Sequence, residues 1–125
     1  MKKYYLLLLT AASLLFVGCR DYNDFEFEGT VVGYRYCSSL ASIQDLGYFV
    51  RLDAPDSVGG SFSVDGSTMK NVVVIYQSDR MLRDHDHIHG KIYLEPQYSK
   101  ANCAIHSTGA DKDLPEAVFT KLVVD

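Results

Sequence analysis

The sequence predicts an all-β domain, a small five-stranded OB-like barrel that follows a leader segment. Three observations carry that expectation. Segments 28–36, 47–53, 70–77, 87–95 and 117–124 are rich in β-branched and aromatic residues. Turn-forming residues fall between them, among them Pro55, Gly59, Gly60, Gly66 and Pro96. No stretch of 10–12 residues carries a strong helical period. Five such strands in about 100 residues suit a small closed barrel better than a seven-stranded immunoglobulin sandwich.

The leader comes first. Lys2 and Lys3 form a basic start, and the apolar run 4–17 follows, ending in Phe16-Val17-Gly18-Cys19. Those 14 residues are too few to span a bilayer, which takes about 20, but suit the apolar core of an export signal. Small Gly18 before Cys19 is the pattern of a lipoprotein signal peptide, with Phe16 where leucine is usual. The expectation is therefore cleavage after residue 18, a lipid such as palmitate on Cys19, and attachment to the cell envelope, most naturally the outer membrane. An ordinary signal peptide with an incidental cysteine is the alternative. Residues 19–27, with Asp21, Asp24 and Glu26, then read as a lipidated acidic tether, and 28–125 as the barrel domain.

Each strand has its own reason. In 28–36, Thr30, Val32, Tyr34 and Tyr36 alternate with Val31, Gly33 and Arg35, and Gly33 marks a bulge or bend. In 47–53, Tyr48, Val50 and Leu52 share one face, and Phe49 and Arg51 the other. Tyr34, Tyr48 and Phe49 read as core aromatics. Ser61 to Val64 reads as a short additional strand piece. The run Val72-Val73-Val74-Ile75 lacks alternation, as a strand buried on both faces would. The polar stretch 78–86 has room for a short helix over 79–83, and a helical turn fits 40–44. In 87–95, Ile88, Gly90, Ile92 and Leu94 fall on the core face, and His87, His89, Lys91, Tyr93 and Glu95 outside. A long loop, 97–113, carries Cys103 ahead of the last strand.

Charge and cysteines restrict the function. The chain has a formal net charge of −4, and losing Lys2 and Lys3 with the leader takes it to −6. An acidic domain without a basic stripe is a poor binder of nucleic acid. With Cys19 lipidated, Cys37 and Cys103 remain as a pair in an exported protein, expected as a disulfide closing 66 residues rather than as two buried thiols. No cysteine spacing makes a redox or zinc-knuckle motif. Ser38, Ser39 and the His106-Ser107 pair lack the flanking residues of a nucleophile motif.

The conspicuous constellation is Asp84-His85-Asp86-His87-Ile88-His89. On an extended strand, His85, His87 and His89 would project to one face at intervals of about 6–7 Å. Imidazoles so spaced can hold zinc, copper or nickel, with Asp84, Asp86 or His106 completing the shell. The reading centres the site on His85 and His87 with one aspartate and gives His89 a lesser part, because Lys91 lies beside it. The plain alternative is a solvated strand face that binds no cofactor.

The lipobox, the segment Glu28-Gly29-Thr30-Val31-Val32-Gly33-Tyr34 leading to Cys37, the segment Gly47-Tyr48-Phe49-Val50-Arg51-Leu52 and the closing Leu114-Pro115-Glu116 together resemble the small OB-like lipoproteins of gut Bacteroidetes grouped as NigD-like. NigD-like proteins are longer, with a second β domain that has no counterpart in these 125 residues. The resemblance implies an OB-like fold and an envelope address, and no activity. Asp56-Ser57-Val58 likewise resembles the O-glycosylation site of that phylum. Two functional expectations follow: a non-catalytic lipid-anchored binding or accessory module whose partner is an envelope protein or a glycan, and a small metal-binding module on the histidine cluster.

Overall fold

The computed structural model describes residues 23–37, 46–103 and 113–125. The leader, Cys19, the first part of the tether, the 40–44 turn, His106 and Ser107 lie outside the described residues. Six strands and one short helix follow in order: β1 Phe25–Tyr36, β2 Leu46–Ala54, β3 Gly60–Val64, β4 Ser67–Tyr76, β5 His87–Leu94, α1 Tyr98–Asn102 and β6 Glu116–Val124. The domain is all-β, as its composition predicts.

All six strands belong to one sheet, ordered β2-β1-β5-β6-β4-β3, and β2 also pairs with β4. That last pairing makes the sheet ring-like: β1, β2, β4, β6 and β5 each have two neighbours within the ring, and β3 hangs from β4 as its third. Closure leaves fewer unpaired strand edges than an open sheet of the same size. Every pairing is antiparallel except β4 with β6. The sixth strand is the short Ser61–Val64 piece lengthened by Gly60.

The alternation of side chains builds two cores. Phe27, Val31, Tyr48, Val50, Leu52, Val73, Ile75, Ile88, Ile92 and Ala117 meet inside the ring. Phe49, Val72, Val74, Tyr76 and Leu114 meet on its outside with Cys37 and Cys103, where Phe62 and Met69 of β3–β4 and Tyr98 of α1 cover them. This is why Val72-Val73-Val74-Ile75 does not alternate: β4 is buried on both faces, and each fully buried valine or isoleucine contributes about 1.5–3 kcal/mol. Cys37 and Cys103 form a disulfide with Cα atoms 4.5 Å apart, inside that outer core.

Five expectations need correction, and the first is Leu94, expected on the core face of β5 but 45% exposed at the end of that strand. β1 begins at Phe25, three residues inside the tether, because Phe27 is buried in the ring against Phe119. Residues 79–83 are not helical; Ser78 Oγ donates to Arg80 O at 2.5 Å and accepts from Arg80 N at 3.3 Å, bending the chain. Tyr34 is 55% exposed and meets Tyr36 edge-on near the end of β1, although its partner across the β1–β2 pair, Tyr48, is buried. Residues 98–102 of the expected loop form α1, held by Ser99, whose N–H and Oγ both donate to buried Glu116.

Candidate functional site

Strand register brings distant carboxylates to His87. In the antiparallel β1–β5 pair, Glu28 lies opposite His89 and Thr30 opposite His87, so Glu28 and both histidines share the outer face. β2 adds the next group. Its register against β1 slips between Glu28 and Gly29, so Ala54 faces Glu28, Leu52 faces Gly29, and Asp53 is the extra residue between them. Such a bulge re-aims a side chain. Asp53 turns toward His87. Finally β6 pairs with β5 so that Val124 lies opposite Ile88, and Asp125 N–H donates to His87 O at 3.0 Å.

Three carboxylates therefore surround one imidazole. His87 Nε2 lies 3.1 Å from Glu28 Oε1 and 3.6 Å from Asp53 Oδ2. On the other side of the ring, Nδ1 bonds to Asp125 Oδ2. Asp125 Oδ1 in turn lies 3.1 Å from His89 Nδ1. The bond to Asp125 is the main reason the His87 pKa is raised above the ordinary histidine value, and the Glu28 and Asp53 charges push the same way. The same bond lowers the Asp125 carboxyl. A groove of about 560 Å³ opens beside the cluster, lined in part by Glu26, Glu28, His89, Lys91, Lys121 and Asp125.

Among the described residues, one set of three histidine, cysteine or acidic side chains brings its ligand atoms within 4.8 Å of one another: Glu28, Asp53 and His87. Of the five residues singled out from the sequence, only His87 belongs to it. His89 joins through Asp125. His85 does not line up with the other two, because β5 starts at His87 and His85 occupies a turn with φ of 74°. Its N–H donates to Val31 O at 2.8 Å, anchoring that turn to β1. Asp86 accepts from Arg83 N–H at 2.8 Å, and neither it nor exposed Asp84 enters the set. Glu28, Asp53 and Asp125 were out of reach of motif reading, since each lies more than 30 positions from His87 and only pairing register joins them. The available signal was local: an acidic residue within β1, one near the end of β2 and one just after β6.

One loop holds Asp53 in place. Asn71, at φ of 60°, accepts from Val58 N–H at 3.1 Å and Gly59 N–H at 2.7 Å. It donates to Leu52 O at 3.1 Å and Pro55 O at 3.0 Å. One amide thus fixes both sides of the turn that follows Asp53.

The chain matches no family model, and comparison with curated proteins and with solved structures finds no match either.

Proposed function

We propose that the protein is a non-catalytic, lipid-anchored cell-envelope protein that acts as a binding or accessory module. The observation that carries this reading is the Cys37–Cys103 disulfide, since such bonds persist in oxidising compartments outside the cytosol. The leader supports it: a basic start, a mostly apolar run over 4–17 and Gly18 before Cys19 make an export signal with a lipidation point. The outer membrane is the proposed address. The charged groove beside β1, β5 and β6 suits a polar partner, a glycan or an envelope protein, better than nucleic acid. Metabolic labelling with palmitate tests the anchor. Label should enter the wild-type chain and not Cys19→Ala, and equal labelling of both would overturn the reading.

A second reading, that the domain binds a metal such as zinc or copper, is favoured by a separate observation. The Nε2 atom of His87 faces two carboxylates while Nδ1 is held by a third. Metal-ligating histidines are commonly oriented in this way.

A further inference from the structure

Resting on that metal reading, we infer that Glu28, Asp53 and His87 bind one divalent ion of the zinc class, through one imidazole nitrogen and two carboxylates.

Geometry argues first. A tetrahedral zinc ion bound at about 2.0–2.1 Å places its ligand atoms about 3.3 Å apart. His87 Nε2 lies 3.1 Å from Glu28 Oε1 and 3.6 Å from Asp53 Oδ2, on either side of that spacing. All three ligand atoms fall within 4.8 Å of one another, so a small turn of the Glu28 or Asp53 side chain completes the triangle. Both side chains are about half exposed and free to make it.

Orientation argues second. Asp125 bonded to His87 Nδ1 holds the ring with Nε2 toward the two carboxylates, so that when Nε2 gives up its proton to a metal its lone pair already points between Glu28 and Asp53. Asp125 is a positioning residue in this site, and its contact with His89 Nδ1 holds it from the other side.

Charge argues third. Glu28, Asp53 and Asp125 bring three negative charges to one corner, and one imidazolium offsets only one of them. A divalent ion between Glu28 and Asp53 neutralises both. The ligand set selects the ion. An imidazole at the centre favours zinc, copper, nickel or iron over calcium, which takes six to eight oxygens. Three protein ligands leave further positions to water or to a group on a partner, and the groove reaches the site along Glu28, His89 and Asp125.

Calorimetry with Zn²⁺ on the tag-free full chain tests this, with Ca²⁺ as comparison. Wild type should bind one Zn²⁺ at micromolar affinity or better and Ca²⁺ at least tenfold more weakly. Glu28→Gln, Asp53→Asn and His87→Ala should each weaken Zn²⁺ by tenfold or more with an unchanged circular dichroism spectrum. His85→Ala and Asp84→Asn should bind as wild type. Asp125→Asn should weaken binding less than His87→Ala and broaden the His87 ring signals in NMR. If wild type binds no Zn²⁺ below millimolar, the metal reading itself fails. If wild type binds but His85→Ala abolishes binding while Glu28→Gln and Asp53→Asn do not matter, the metal reading stands and this assignment of ligands is overturned.

Discussion

Asn71 is the residue whose loss the structure says most about. Its amide makes four hydrogen bonds, two accepted from Val58 and Gly59 and two donated to Leu52 and Pro55. Each is worth about 0.5–1.5 kcal/mol net, so removing the amide costs about 2–6 kcal/mol. The backbone adds a second effect. At φ of 60° asparagine is tolerated, whereas alanine carries a further cost of about 1–2 kcal/mol. Two variants separate these terms. Asn71→Gly keeps the backbone freedom and loses the amide, so it should lie about 2–6 kcal/mol below wild type. Asn71→Ala loses both and should lie about 1–2 kcal/mol lower again. Against a typical total of about 5–15 kcal/mol, either loss is large. Urea unfolding followed by circular dichroism reads both, with an unchanged m-value as the check that the unfolded state is the same. A loss under about 0.5 kcal/mol for Asn71→Gly would refute the account of that turn. Because the turn also positions Asp53, Zn²⁺ affinity should fall in both variants although neither touches a ligand.

Two other predictions concern the frame. Burial pushes the Tyr76 phenol up to about 12, against the lowering effect of Arg35, whose guanidinium donates to it. The folded chain thus keeps a proton that the unfolded chain releases near pH 10, so stability should fall as pH rises from about 10 to 12. Absorbance titration should show a last tyrosinate step near that upper value that Tyr76→Phe removes, and identical titrations of the two proteins would contradict it. Cys37 and Cys103 should appear as linked peptides in non-reducing mass spectrometry, and reduction should lower stability by about 4 kcal/mol. Two alkylatable thiols in the native protein would be the contrary result.

The fold was legible where local chemistry and tertiary burial agree. Val72-Val73-Val74-Ile75 announces a strand covered on both sides, and β4 is covered by the ring interior and by the β3–α1 layer. Ile88 and Ile92 announce the inward face of β5, and both are fully buried. Legibility failed where one strand's register depends on another. Tyr34 carries the composition of a core residue and pairs with buried Tyr48, yet it lies near the end of β1 and is exposed. Phe25 and Phe27 sit among acidic residues that favour a tether, and burial of Phe27 inside the ring outweighs their repulsion.

The candidate site divides in the same way. A histidine cluster is visible as sequence, and alternation correctly puts His87 and His89 on the outer face of β5. Alternation extended too far, to His85, because the positive φ there starts a turn that sequence spacing does not reveal. The carboxylates that face His87 come from β1, the β2 bulge and the residue after β6, and each is set by pairing rather than by proximity along the chain. Asp84 and Asp86 are near in sequence and stand apart from the set for the same reason.

Which side chains hold a bound Zn²⁺ is the central question for this site. Crystals of the tag-free protein grown with Zn²⁺, measured on both sides of the zinc absorption edge, locate it directly. The account predicts one strong anomalous peak within about 2.0–2.2 Å of His87 Nε2 and of one oxygen each from Glu28 and Asp53, with Asp125 still bonded to Nδ1. A zinc peak on His85 with Asp84 or Asp86, or none within reach of His87, would contradict it.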